Sequence, residues 1–487
     1  MTAGAVALSL ISHTNAGKTT LARTLLSQAV GEVRDAPHVT TEATAYRLIA
    51  TAEGDALMLW DTPGFGDSAR LAKRLRQQGN PVGWFLSQVW DRFRDRTFWL
   101  NQLAVGNVRE QADVVLYLVN ASEDPSDAGY LPPELEVLAW IGKPVIVLLN
   151  QTGPPRPRDE EAAAERRWRD AFGQWPLVRA VLTLDAFARC WVQELTLFET
   201  VERVLAPEKQ PAFARLAAAW HARRMAQFDA AMEALAAPIA RAACDRVVLP
   251  AVSIRDRVVK AIGLARETDG GAEALAMRTL AGRFEADLLS GTQQLIAIHD
   301  LEGSAVGDVL ARLASDVRTD APVDEGKAAL MGGVVSGALT GIAADIASGG
   351  LTLGAGMLTG ALLGALGGAG IARGFNTLRG RSETIVRWDN AFLDAQIATV
   401  LLRYLAVAHH GRGRGEWRES EVPAFWRELV NGALKVRRDA LTGIWEARTA
   451  EGEADRIALR VRALVGEIAR ALLDELYPGA FGGPAIA

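Results

Sequence analysis

Ser12-His13-Thr14-Asn15-Ala16-Gly17-Lys18-Thr19-Thr20 is the stretch on which the reading of the N-terminal part of this chain turns. From Ser12 to Thr19 it fills the pattern G-x-x-x-x-G-K-[ST], with serine in place of the first glycine. The context suits the pattern. Ala5 to Ile11 is an almost unbroken apolar run of strand length, and TTLARTLLSQAV after the loop places apolar residues at helical spacing. Strand, loop and helix together aim successive backbone N–H groups and a helix N-terminus at phosphate oxygens. In that setting Lys18 is expected against the β- and γ-phosphates of a nucleotide and Thr19 on Mg²⁺. His13, Thr14, Asn15, Ala16, Gly17 and Thr20 complete the phosphate cradle, and Ser12 makes the tight turn after the strand.

Three further segments extend the reading. ALMLWDTPGFGDS is an apolar run ending in Asp61-Thr62-Pro63-Gly64, a D-x-x-G form that sets the Asp61 carboxylate near Mg²⁺ and the Gly64 amide near the γ-phosphate. KPVIVLLNQTG is another apolar strand, and its end, Asn150-Gln151-Thr152-Gly153, is a candidate contact to the base. Between loop and second motif, DAPHVTTEATAYRL offers Thr40 and Thr41, either of which could close over the nucleotide and reach the metal; Thr41 is preferred. A further apolar strand, Leu177 to Phe187, precedes the last helix of this domain.

With these residues in view, the N-terminal region resembles the Era- and TrmE-like branch of translation-factor-related GTPases. More loosely, the whole chain resembles bacterial GTPases whose C-terminal half is a domain of unknown function with a glycine-rich hydrophobic segment. The resemblance implies an α/β P-loop G domain with a mostly parallel sheet flanked by helices. It implies GTP and Mg²⁺ as ligands and hydrolysis to GDP and phosphate as a conformational switch. Phe65 then stands where Ras-type enzymes carry a water-positioning glutamine, so catalysis must use another device, with Lys18, Asn15 and Thr41 as candidates. In relatives with N-A-G-K in the loop the asparagine, here Asn15, helps to hold a monovalent cation, which implies a potassium-stimulated reaction.

The fourth motif departs from the family's N-K-x-D, since its Asn is present while its Lys and Asp are not. The missing aspartate would read the N1 and N2 donors of guanine, so GTP is preferred over ATP with that step open. Asp159 and Glu160 in PRPRDEE could supply a carboxylate; a solvated start of a helix is the preferred reading of them. Between Asp67 and Gln111 the chain is longer than a simple G domain needs and carries Trp84, Trp90 and Trp99 with Phe85, Phe93 and Phe98. The segment reads as a helical subdomain packing its own aromatics, with an effector surface beside the second switch as the alternative.

Composition narrows the remaining classes. The chain has 487 residues and 53 Lys+Arg against 58 Asp+Glu, a net charge of -5, which gives no strong field for nucleic acid. Its two cysteines, Cys190 and Cys244, lie far apart without histidines at ligand spacing, and this fits a reducing cytoplasm. No basic region precedes the first apolar run, so a secretory leader is not expected.

Residues 1–205 are read as the nucleotide domain and 206–487 as a mainly helical domain. In the latter, Ile457, Val461, Leu464, Ile468 and Leu472 form one apolar stripe, and Pro211 to Ala243 repeats apolar groups at the same helical spacing. His221, His299, His409 and His410 lack spaced ligand partners and read as surface or packing residues. Residues 328–371 carry a single charge, Asp345, and split around Ser348-Gly349-Gly350 into two apolar halves. Each half is about 20 residues, close to bilayer thickness as a helix. Gly333, Gly337 and Gly341, and Gly356, Gly360, Gly364 and Gly368, would line grooves for close helix contact. Asp345 would sit at the hairpin tip, with Lys327, Arg373, Arg379 and Arg381 on the cytoplasmic side. A hairpin buried in a soluble bundle is the competing reading. The partners expected are therefore a guanine nucleotide, a membrane surface or membrane protein through 328–371, and a homo-oligomer through the glycine grooves. The location expected is the cytoplasm, with peripheral or integral attachment at the inner face of the cytoplasmic membrane.

Overall fold

The computed structural model describes residues 4–13, 16–26, 44–62, 64–65, 67–76, 96–187, 190–250, 269–301, 375–379, 383–410, 422–448, 454–479 and 481. The hairpin expected over 328–371, the preferred switch threonine Thr41 with its alternative Thr40, and the loop residues Thr14 and Asn15 lie outside the described residues. Two compact units account for the chain, one of Met1–Ala226, Ala408–Gly415 and Leu476–Ala487, the other of Gln227–Val407 and Glu416–Glu475.

The first unit is an α/β layer structure. Its strands β1 (Ala5–Ser12), β2 (Thr44–Ala50), β3 (Ala56–Asp61), β4 (Val114–Asn120), β5 (Val145–Asn150) and β6 (Val178–Thr183) form one sheet in the order β2-β3-β1-β4-β5-β6. Only β2 runs antiparallel, against β3. Helices α1 (Lys18–Leu26), α2 (Ser68–Arg76), α3 (Arg96–Gln111), α4 (Leu131–Ile141), α5 (Arg158–Phe172) and α6 (Trp191–Val204) connect the strands or close the layer. Val114 to Val119 and Val145 to Leu149 are buried throughout, as continuous apolar runs must be when helices cover both faces of a parallel sheet. Helix α4 starts with Pro132 in its first turn and ends at Gly142, whose φ of 71° lets its N–H reach Leu138 O at 3.1 Å. Phe98 on α3 is buried with Arg70 stacked on its ring at 3.9 Å, so this aromatic of the 67–111 segment packs inward. Residues 77–95, with Trp84, Phe85, Trp90 and Phe93, lie outside the described residues.

Helix α7 (Gln210–Cys244) begins within this unit. A boundary at 205 is the break between α6 and α7, yet the compact unit continues to Ala226 because charged residues of α7 are anchored in it. Arg215 grips Asp55 through Nε at 2.7 Å and Nη2 at 3.0 Å, and Arg224 grips the fully buried Glu194 at 2.8 and 3.0 Å. A third donor, Trp220 Nε1, reaches Glu194 at 2.9 Å, so that carboxylate is satisfied in the interior.

The second unit is mainly helical, as expected, with one addition. Helices α8 (Asp269–Ile298), α9 (Asn390–Ala408), α10 (Ala424–Val436), α11 (Arg438–Ala447) and α12 (Ala454–Leu476) accompany the rest of α7. The addition is an antiparallel sheet, β7 (Arg246–Pro250), β9 (Glu383–Trp388) and β8 (Phe375–Arg379), in the order β7-β9-β8. Its strands are short and β7 is remote in sequence from the other two, so local periodicity gives no strand signal there. The stripe Ile457, Val461, Leu464, Ile468 and Leu472 on α12 is buried. Helix α9 has a mean hydropathy of 1.5 and 61% of its apolar window is buried, as in a core helix. His299 bonds Leu295 O at 2.9 Å, and in the first unit the buried His409 bonds the Tyr477 hydroxyl at 2.8 Å; both are packing residues.

One close approach fixes how α8 packs on α7. Pro238 lies inside α7 and has no N–H to give to Ala234 O one turn before it. A Cβ at Gly291 of α8 would lie 2.6 Å from that same carbonyl and 3.0 Å from Pro238 Cγ. A glycine hydrogen therefore points at the carbonyl that the proline leaves unpaired, a weak C–H···O contact. Gly291→Ala is expected to destabilise this unit by about 1–3 kcal/mol through overpacking. Urea unfolding should show a lower midpoint at an unchanged slope.

Candidate functional site

The sheet order places β1 between β3 and β4, the point where parallel α/β sheets open a crevice at the carboxyl ends of their strands. Register brings the right residues to that edge. Leu10 pairs with Asp61, Ser12 with Leu118, and Asn120 with Asn150, so β1, β3, β4 and β5 end side by side. His13 bridges to Phe65, and Phe65 N donates to Ser12 O at 2.9 Å, which closes the chain after Asp61 onto the start of the loop.

Among the described residues, close packing at Gly17 and a set of hydrogen bonds hold the loop in place. Gly17 has a φ of 87°, and a Cβ there would lie 2.5 Å from Asn150 Nδ2, so both its conformation and its surroundings require glycine. Leu21 N donates to Gly17 O at 2.9 Å and starts α1. Asn150, fully buried, donates from Nδ2 to Ala16 O at 2.7 Å and accepts at Oδ1 from Ala186 N at 2.8 Å. Asn150 thus holds the loop to the segment after β6. Thr24 adds a second tie, donating to Thr20 O at 2.9 Å and to Ala186 O at 3.2 Å.

Lys18 is buried and donates from Nζ to Ser12 Oγ at 2.9 Å. Serine in the first-glycine position therefore supplies an acceptor that glycine lacks; its hydroxyl in turn donates to His13 O. Burial pushes the Lys18 ammonium below its ordinary value, against the pull of Asp61 and Glu134. Thr19 Oγ1 donates to Asp61 Oδ2 at 2.7 Å, and Asp61 Oδ1 is buried without a hydrogen-bond partner. Burial raises the Asp61 carboxyl, with the Thr19 hydroxyl and Lys18 pulling the other way. A hydroxyl and a half-satisfied carboxylate beside a buried ammonium form a hard-oxygen donor set that suits Mg²⁺, with positive charge ready for phosphate. Gly64 is half-buried next to them, and the Phe65 ring is buried in the core with Ile11 and Leu71.

Several of these partners carry no sequence signal. The His13 side chain is held from below: its Nδ1 is 2.6 Å from Glu134 Oε1, and its ring stacks on Tyr130 at 4.5 Å. Glu134 on α4 is fully buried and takes a second bond from the Tyr117 hydroxyl at 2.6 Å. Burial raises the Glu134 carboxyl while His13 and then Tyr117 stabilise its charge. Gln151 follows Asn150 with a φ of 60°, and its side chain lies near Gly17. Next to it, Thr152 donates from N at 2.7 Å and from Oγ1 at 2.9 Å to Asp185 Oδ2, while Phe187 N donates to Oδ1 at 2.8 Å. Asp185 is buried. Asp159 and Glu160 are exposed on the first turn of α5, as a solvated helix start should be.

This loop, this strand order and this donor set define a P-loop GTPase domain followed by a helical region. Residues 8–151 match a family model described as 50S ribosome-binding GTPase, and residues 313–469 match a domain of unknown function. Solved structures similar to the chain include Aquifex aeolicus Era bound to GDP and aluminium fluoride, at 15% identity, TM-score 0.30, covering 58% of this chain and 88% of that one. Era in complex with MgGDPNP and a segment of 16S ribosomal RNA is similar at 14% identity and TM-score 0.29, covering 61% of this chain and 90% of that one. A bacterial selenocysteine-specific elongation factor is similar at 14% identity and TM-score 0.25 over 37% of this chain and 26% of its own. No curated protein matches the chain.

Asn150→Ala would leave Ala16 O and Ala186 N without partners. At about 1–3 kcal/mol for each buried group, a loss of roughly 2–6 kcal/mol is expected. Thermal melting and GDP titration should show a lower melting temperature together with weaker nucleotide affinity.

Proposed function

We propose that this chain binds GTP with Mg²⁺ and hydrolyses it, using the nucleotide state to control the region that follows. The convergence of the Lys18 ammonium, the Thr19 hydroxyl and the unpartnered Asp61 Oδ1 at the Gly17 loop supports the reading. Thr19 and Asp61, with Thr41, would hold Mg²⁺, which would supply positive charge to the phosphate oxygens. Lys18 would exchange its bond to Ser12 for the β- and γ-phosphates, regaining in a polar site the solvation that burial removes. Because Phe65 is turned into the core, orientation of the attacking water falls to other groups, and Asn15 with a monovalent cation is the candidate carried from the resemblance.

Base choice follows from Asp185. The carboxylate absent from the position of Gly153 has a counterpart on the neighbouring loop, held at Thr152 next to Asn150 and Gln151. We read Asp185 as the acceptor for the guanine N1 and N2 donors. Its Oδ1 takes one hydrogen bond, from Phe187 N, and can take another. Adenine presents a lone pair at N1, which a carboxylate repels, so a site of this kind selects by leaving the wrong base unpaired.

Titration of the full chain with fluorescent GTP and ATP in Mg²⁺ tests this. GTP is expected to bind at least tenfold more tightly, Lys18→Ala to lose binding of both, and Asp185→Asn to reduce the GTP preference about tenfold. A GTP preference untouched in Asp185→Asn would make Asp185 an anchor for Thr152 alone. Phosphate release in the same preparation should be faster in potassium than in sodium buffer.

The proposed output is the segment 328–371, outside the described residues, acting at a membrane surface. A second reading makes that hairpin the effector itself, with nucleotide only regulatory. Flotation with liposomes in GTP analogue, GDP and no nucleotide separates them. Recovery with liposomes in the GTP-analogue state alone is the expected outcome, and recovery in every state would favour the second reading.

A further inference from the structure

The small sheet of the second unit carries charge where strand pairing alone disfavours it. Arg246 on β7 lies directly opposite Arg387 on β9, and Val248 opposite Ile385. The alternate residues Val386 and Trp388 are fully buried, so the two arginines share the other face. Like charges facing each other across a strand pair are destabilising. A third guanidinium joins them: Arg448, directly after α11, lies close enough to Arg387 for the two charges to repel. Burial first, and then Arg387, bring Arg448 down to about 10, against the pull of Asp389 and Cys244.

Hydrogen bonding is incomplete at the same place. Arg387 Nε, Arg448 Nε and Arg448 Nη1 are buried without partners. The nearby carboxylates already have work: Asp389 Oδ1 accepts Phe392 N at 2.6 Å, and Asp245 Oδ1 accepts Arg283 Nη1 at 3.0 Å. Buried donors in native proteins are nearly always satisfied, and the guanidinium fork matches two oxygens of a phosphoryl group. Arg246 and Arg448 each lie by Arg387, and Asp389 is the carboxylate beside Arg448, so the cluster keeps net positive charge suited to an anion.

We propose that Arg387 and Arg448, with Arg246 at the exposed edge, form a second phosphoryl-binding site, separate from the nucleotide loop. Its ligand is a phosphate ester, either soluble or the headgroup of an anionic phospholipid. Val248, 46% exposed on the same face, is an apolar neighbour that a lipid would use and an inorganic anion would not.

The test uses the full-length protein saturated with GDP and Mg²⁺, so that the nucleotide loop is occupied. Inorganic phosphate is titrated by calorimetry, and vesicles of phosphatidylglycerol are compared with phosphatidylcholine by sedimentation. At least one probe is expected to bind, and the double variant Arg387→Gln, Arg448→Gln to bind it at least tenfold more weakly. Without probe, Arg448→Gln should melt at the same temperature or higher, because repulsion is removed. Phosphate binding assigns a soluble ligand; binding to phosphatidylglycerol vesicles without phosphate binding assigns the headgroup. Binding of neither probe, equal binding by the double variant, or a lower melting temperature of probe-free Arg448→Gln would overturn the proposal. If the double variant does not fold, Arg246→Gln at its exposed position should still weaken binding several-fold, and unchanged binding there counts against the site.

Discussion

The loop at Gly17 depends on one buried side chain, that of Asn150. Asn150 ends a strand buried along its whole length, and its amide is spent on Ala16 O and Ala186 N. Those two bonds hold the phosphate loop against the loop after β6. They leave so little room at Gly17 that no Cβ fits. An unpaired buried amide or carbonyl costs about 1–3 kcal/mol, so the loop cannot open at this point without losing much of a domain's margin of stability.

Around that brace the site differs from the usual pattern in ways that compensate one another. Serine at position 12 removes the freedom of glycine but gives Lys18 an acceptor. Phe65 gives up the position of a water-orienting side chain and joins the core beneath β1. His13, the second residue of the loop, is committed to Glu134, which would otherwise be an isolated buried carboxylate costing several kcal/mol. The Tyr117 hydroxyl takes its other oxygen. Loop, β4 and α4 are thereby joined through one carboxylate, and the electrostatic field at Lys18 includes Glu134 as well as Asp61.

The second unit solves a different problem. Helices α7 and α8 pack closely through Gly291 on the Pro238 turn, and Trp388 at the end of β9 stacks on Phe392 of α9 at 3.9 Å. Apolar contact of this kind is not directional, so the sheet β7-β9-β8 supplies register. On its outer face the register opposes two arginines. A fold whose interior satisfies Glu194 with three donors tolerates unsatisfied guanidiniums here, which is why these arginines mark a place for an anion rather than a fault in packing.

The sequence alone determined what is local in the chain. A loop of fixed spacing, apolar runs long enough for doubly covered strands and stripes at helical period are set by backbone geometry, and the structure places Lys18, Thr19, Asp61 and Asn150 at one edge of one sheet as those motifs require. Roles set by partners distant in the chain could not be read there. The side-chain bond of His13 to Glu134 and the bonds of Asp185 to Thr152 join residues far apart in the chain, and no local pattern announces them. Likewise β7, β8 and β9 are strands only because they pair. The chemistry of a buried carboxylate or guanidinium is fixed by what faces it across the fold, and tertiary packing alone decides that.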